Sequence, residues 1–184
     1  MDRRAIIRED LDRNVRLGKL TVLLFRLRQF AHSPDRGLGL RLAAPFIELA
    51  ALIWVDLLMG ASLPPTAEVG PGLRLPHGGR GVMIHQTAKV GRHVTMFQRS
   101  GLGLMEPLDA DNDMIEETDG PVVEDYVYIG HGAAVFGNVT IGERTRVGAY
   151  AVILRDVPPN STVLPTPARI VKRPDAEAEA GDGA

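Results

Sequence analysis

Five histidines and a dense run of carboxylates are the side chains here with chemistry to offer, and no cysteine accompanies them. Without a thiol there is no disulfide, no zinc–thiolate site and no acyl-cysteine intermediate. One imidazole stands apart. His77 sits in Leu75-Pro76-His77-Gly78-Gly79-Arg80-Gly81, behind a proline and ahead of two glycines, a composition that reads as an exposed turn. An imidazole in such a place can take up and release a proton near neutral pH. His32 ends a helical stretch and reads as polar surface. His85, His93 and His131 fall at different offsets of the repeat described below, so they point in different directions and supply no converging metal set. The carboxylates gather between Glu106 and Asp119, seven in all (Glu106, Asp109, Asp111, Asp113, Glu116, Glu117, Asp119). The Asp109-x-Asp111-x-Asp113 spacing suggests calcium, but an EF-hand loop needs Gly where Met114 stands and Glu where Gly120 stands. No metal is expected.

The element that must hold these groups announces itself by period. Val123, Ile129, Val135, Ile141, Val147 and Ile153 recur at every sixth position, and a small or β-branched residue follows each four positions later, from Val127 to Val157. Six is the period of neither a helix nor a free strand, and marks a repeat architecture. The expected fold is mainly β: a left-handed parallel β-helix in which each hexapeptide forms one face of a triangular coil, with the aliphatic residue pointing inward. Equivalent residues then stack at the strand spacing of about 4.8 Å. Gly130, Gly142 and Gly148 follow the aliphatic residue where a side chain is expected to clash at a tight corner. Upstream the ladder reads Leu63, Val69, Leu75, then Ile84, Val90, Met96, Leu102. Two interruptions break it: three extra residues around Pro76–Gly81, and a longer excursion between Leu102 and Val123. Insertions in a solenoid project as corner loops, and such loops commonly carry binding chemistry.

Four segments follow from this reading: a helical cap over 1–61, the β-helix over 62–158, an extended basic exit over 159–173 and a disordered tail over 174–184, rich in Ala, Glu, Asp and Gly. An uncapped β-helix exposes its first aliphatic coil to water, so the helices are expected to cover it. Ala43–Gly60 is apolar, but it contains Glu48 and Asp56, each costly at a bilayer centre by about 2.5–3.5 kcal/mol. It therefore reads as a helix buried on the solenoid or at a subunit interface, with no transmembrane span. At 184 residues and a formal charge of −2 the chain makes one domain, with no basic face for nucleic acid. The charged start, Met1-Asp2-Arg3-Arg4, lacks the apolar core of a signal peptide, so a cytoplasmic location is expected.

Three stretches resemble the hexapeptide-repeat acyltransferases, specifically the serine acetyltransferase-like group: Gly72-Leu73-Arg74-Leu75-Pro76-His77-Gly78, Tyr128-Ile129-Gly130-His131-Gly132-Ala133 through Asn138, and Arg155-Asp156-Val157-Pro158-Pro159-Asn160 through Pro167-Ala168-Arg169-Ile170-Val171. The resemblance covers about residues 62–172. It implies acetyl transfer from acetyl-CoA, a co-substrate and not a resident cofactor, to a hydroxyl, with His77 as general base. It also implies a homotrimer whose CoA groove lies between neighbouring prisms. Ala133, Gly148, Ala149 and Ala151 would admit the pantetheine arm there, with Arg169, Lys172 and Arg173 meeting phosphates.

The resemblance is not uniform. Serine acetyltransferases carry an aspartate fifteen residues before the histidine, one immediately before it, and an Arg-His pair ahead of the third repeat block. Those positions here hold Ser62, Pro76, Asp119 and Gly120. Exchanging an arginine for an aspartate inverts the contact a serine carboxylate needs. The sequence reading therefore prefers a sugar, a polysaccharide precursor or another small hydroxyl compound as acceptor. Serine O-acetylation and a non-catalytic β-helix scaffold are the alternatives.

Overall fold

The computed structural model describes residues 2–105 and 119–171. Most of the acidic stretch (106–118), Lys172, Arg173 and the tail 174–184 lie outside the described residues.

Among the described residues, twelve short strands form three parallel sheets, the faces of a triangular prism. The first face stacks β1 (Glu68–Val69), β3 (Lys89–Val90), β6 (Val122–Val123) and β9 (Thr140–Ile141). The second stacks β4 (Thr95–Met96), β7 (Tyr128–Ile129), β10 (Arg146–Val147) and β12 (Thr162–Val163), and the third β2 (Met83–Ile84), β5 (Gly101–Gly103), β8 (Ala134–Phe136) and β11 (Val152–Ile153). Together with the N-terminal helices this is the left-handed β-helix the repeat predicts.

Register turns the sequence period into an interior ladder. Val90 pairs with Val123 and Val123 with Ile141; Met96 with Ile129 and Ile129 with Val147; Ile84 with Leu102, Leu102 with Val135 and Val135 with Ile153. These aliphatics are almost fully buried, as are their partners four residues on, Ala88, Val94, Val127, Ala133, Val139, Thr145 and Ala151. Burying one such large side chain contributes about 1.5–3 kcal/mol, and the ladder repeats that gain in every coil. The prism also continues past residue 158: Val163 stacks on Val147 through β12, inside the stretch read from sequence as the extended exit. The run of Asp156-Val157-Pro158-Pro159 hides the last hexapeptide because prolines punctuate it.

The cap comprises α1 (Arg3–Arg13), α2 (Leu17–His32) and α3 (Leu38–Ala51), the last running on as a π-helical stretch, Leu52–Leu58. In α2 the buried residues Gly18, Thr21, Val22, Phe25 and Arg26 recur at helical spacing and face the first coil. A buried polar network seats the cap there. Arg26 pairs with Asp10 at 2.6 Å, both almost fully buried, and donates to the Val69 carbonyl at 2.8 Å. Asp10 accepts from the backbone N–H groups of Gly72 (2.6 Å) and Leu73 (3.0 Å). Asn14 donates to the Leu73 carbonyl at 2.7 Å and accepts from the Leu75 N–H at 2.8 Å. Helix α1 is thus fastened to the strand-like run that leads into His77.

Helix α3 is not buried on the solenoid, the first of the two placements expected for it. Its two carboxylates turn inward to Arg28, Glu48 at 2.8 Å and Asp56 at 3.4 Å. Leu38, Leu42, Phe46, Leu49, Ile53 and Leu57 remain exposed, Phe46 to 74%. By length and composition Leu38–Leu58 is long and apolar enough to cross a membrane, but its acids pair with Arg28 of α2.

Candidate active site

One edge of the prism, between the second and third faces, collects the chemistry. In successive coils it carries Pro76–Gly79, then Phe97–Ser100, Gly130–Ala133 and Gly148–Ala151. The bulge at Pro76–Gly79 is a single helical turn broken by left-handed backbone at His77 (φ 57°) and Gly78 (φ 81°). Inside it Thr21 of α2 donates to the Gly78 carbonyl at 2.9 Å, which ties the bulge to the cap and leaves the His77 ring outward and exposed.

His77 lines an open cavity of about 430 Å³ between the α1–α2 turn and this edge. Its ring centroid lies 6.4 Å from that of Phe97, which packs on Tyr128 at 5.1 Å. The turn contributes Arg13, Arg16 and Leu17, and the approach to His77 contributes Arg74. No carboxylate lines the cavity among the described residues. Ser62 is not part of it: it bridges to Met83 and lines a separate groove with Met83 and His85. Burial first, and then the like charge of Arg74, hold the Arg13 guanidinium below its ordinary pKa.

Two coils further along, His131 laces the same edge. Its Nδ1 lies 2.9 Å from the Gln98 carbonyl and its Nε2 lies 2.8 Å from the Tyr150 hydroxyl. A carbonyl only accepts, so Nδ1 donates, and Nε2 of the neutral ring accepts from Tyr150. The residues read as CoA contacts divide by placement. Ala149 is exposed at the edge and Gly148 half-buried beside it, whereas Ala133 and Ala151 are buried in the core of the prism. Arg169 lies in an exposed stretch without regular structure, and Lys172 and Arg173 fall outside the described residues.

The other imidazoles are engaged separately. His93 meets Glu9 at 2.7 Å, His85 Nδ1 lies 2.9 Å from the Thr87 hydroxyl, and His32 lies 3.4 Å from Glu48. Among the described residues no three His, Asp or Glu side chains converge as a metal site. Asp119 is exposed, and Gly120 is buried where an added Cβ would lie 2.7 Å from Thr87 Oγ1 and 2.9 Å from the Ala88 nitrogen. No side chain fits at Gly120, so the second position of the family's serine-recognition pair cannot be filled without moving that coil.

Sequence reasoning singled out His77 because it sits in an interruption of the period, and the structure places it on the cavity. It missed Arg13, Arg16 and Arg74. Arg74 carried a signal, alternating between the inward Leu73 and Leu75 and therefore outward on the second face. Nothing in the sequence brings the α1–α2 turn to it.

Known proteins bear on this site. Residues 120–155 match the bacterial transferase hexapeptide (six repeats) family. The chain is 38% identical over 117 residues to serine acetyltransferase of Synechococcus elongatus, covering 64% of this chain and 45% of that protein. It is 34% identical over 128 residues to serine acetyltransferase of Mycobacterium tuberculosis, covering 70% and 52%. The chain thus spans about half the length of these curated relatives. Among solved structures, soybean serine acetyltransferase complexed with serine superposes with a TM-score of 0.63 at 29% identity, over 92% of this chain and 68% of that one. Over its prism the chain is thus similar to hexapeptide-repeat serine acetyltransferases.

Proposed function

We propose that this protein is an acetyl-CoA-dependent O-acetyltransferase in which His77 is the general base. The observation that carries the reading is an exposed imidazole at the mouth of a cavity, on the edge where Gly148 and Ala149 leave room for a pantetheine arm. A hydroxyl attacks a thioester poorly until its proton has somewhere to go. His77 takes that proton as the oxygen bonds to the acetyl carbon. The tetrahedral intermediate then collapses with cleavage of the C–S bond, and the imidazolium returns the proton to the departing sulfur. No enzyme nucleophile is required, in keeping with the absence of cysteine.

Serine, or a similar small hydroxy acid, is the acceptor favoured over the sugar preferred from sequence. The relatives are named for serine, and the exposed Arg16 and Arg74 that line the His77 cavity offer a cation in place of the one that the change at Asp119 had removed. A homotrimer completes the groove in this reading. Its support is the outer surface of the third face, where Met83, Phe136, Val152 and Leu154 are exposed. Acetyl-CoA would come from the cytoplasmic pool.

The test is thiol release from acetyl-CoA with L-serine and with a panel of neutral glycosides, on material whose mass has been fixed by sedimentation. Turnover with serine by a trimer is expected. Turnover with glycosides alone returns the acceptor to a sugar. An active monomer contradicts the shared groove, and failure to bind CoA leaves only a scaffold.

A further inference from the structure

Helix α3 keeps its acids inside and its hydrocarbon outside. Glu48 and Asp56 both turn to Arg28 of α2, and the Trp54 indole donates to the Thr21 hydroxyl at 3.1 Å, so the polar side of the helix is satisfied by the cap. On the outer side Leu38, Leu42, Phe46, Leu49, Ile53 and Leu57 recur at steps of three and four. The π-helical stretch exposes Leu52 and Leu58 as well, which widens the stripe at its C-terminal end. Each of these eight side chains is exposed by 46–74%. At roughly 100 Å² apiece they leave on the order of 800 Å² of apolar surface in water, where the largest patch of a typical monomer is about 300–600 Å². The stripe runs the whole 21 residues, roughly 30 Å. From Leu38 to Leu58 the one exposed charge is Arg41.

We infer, independently of acetyl transfer at His77, that α3 docks this protein on an anionic phospholipid bilayer. The helix lies flat at the boundary of headgroups and acyl chains, its apolar stripe in the hydrocarbon and Arg41 at the lipid phosphates. It does not span, because a spanning helix gives its whole circumference to lipid and the acidic side of α3 is bonded to α2. A second copy of this chain suits the face less well, since it brings no free acid to Arg41. With two stripes in full overlap, Arg41 meets its own equivalent if they run parallel, and the apolar end Leu52–Leu58 if they run antiparallel. Lipid phosphate supplies the missing counter-charge, and the aliphatic stem of Arg41 lets its guanidinium reach it from the edge of the stripe. The widened stripe also fits a planar slab better than the narrow seam of a helix pair. Docking bears on the catalytic edge as well. The Gly81 N–H donates to the Met59 carbonyl at 2.9 Å, and an added Cβ at Gly78 would lie 2.9 Å from the Met59 sulfur, so the helix ends against the loop that carries His77.

The experiment floats the full-length protein with vesicles of phosphatidylcholine containing phosphatidylglycerol, and with vesicles of phosphatidylcholine alone. The protein should rise with the anionic vesicles and less with the neutral ones. Phe46→Asp combined with Leu49→Asp should lower the partition coefficient about tenfold or more. Arg41→Gln should lower it about fivefold on the anionic vesicles, the worth of one cation at such a surface, and leave it unchanged on the neutral ones. Melting temperatures identify the variants that fold. Because the chain has no cysteine, Leu49→Cys carrying an environment-sensitive fluorophore reads insertion with the rest of the stripe intact. Its emission should shift to the blue with anionic vesicles, while the same label at Lys89→Cys, exposed on the first face, stays unchanged. Absence of flotation by the wild type overturns docking on lipid. So does flotation during which the label at position 49 stays silent, because another surface then makes the contact. Self-association in sedimentation that the double aspartate variant removes, without any flotation, overturns it too and gives the face to a second copy.

Discussion

Left-handed backbone at the prism corners falls on His93, Arg99, Tyr126, Arg144, Tyr150 and Asn160, and not on the glycines that follow the ladder residues. Those glycines serve another purpose. At Gly142 an added Cβ would lie 2.4 Å from the nitrogen of Pro159 in the next coil, backbone that cannot step aside. Gly142→Ala is therefore expected to destabilise the protein by about 1–3 kcal/mol, as overpacking does, measured by urea unfolding. An unchanged midpoint would mean the coils separate more easily than the register implies. At this scale the sequence was partly legible. The glycine positions, the inward aliphatics and His77 could all be read from a broken period. The direction of each glycine's clash, the turning of Ala133 and Ala151 into the core, and the Tyr150–His131–Gln98 hydrogen-bond chain depend on which coil lies above which.

Among elements, the helical cap shows most clearly what a period cannot reveal. Helices over the first sixty residues were foreseeable from composition, but their attachment is polar. The Asp10–Arg26 pair, both side chains almost fully dehydrated, bonds four backbone groups of the Val69–Leu73 run. In a linear reading Asp10 and Arg26 are two charges among many. Only the crossing of α1 and α2 over the first coil makes them partners. Removing one member of such a pair leaves the other charged and buried, so Asp10→Ala should cost about 3–5 kcal/mol. Hydrogen exchange should report the loss first at the amides of Gly72 and Leu73, which donate to that carboxylate. Stability equal to wild type would mean that apolar packing alone seats the cap. The same element positions the cavity, because the turn that carries Arg13 and Arg16 begins where Asn14 is bonded to Leu73 and Leu75.

Across the whole molecule, a rigid ladder of stacked aliphatics provides an edge on which loops and the cap assemble a cavity around one imidazole. The architecture was legible because repetition amplifies a weak signal: each coil restates the same burial pattern. The prism's extension through Thr162–Val163 escaped notice because prolines interrupt the pattern just before it. The sequence reading leaned toward sugars because cations were sought at the family's positions, while the fold brings arginines to the His77 cavity from a different element. The account stands or falls on His77. Thiol release from acetyl-CoA should be measured for wild type and His77→Ala at saturating acceptor, alongside CoA affinity by calorimetry. Loss of a general base predicts a fall in kcat of about a hundred- to ten-thousandfold with CoA affinity preserved. Turnover near the wild-type rate in His77→Ala would contradict it.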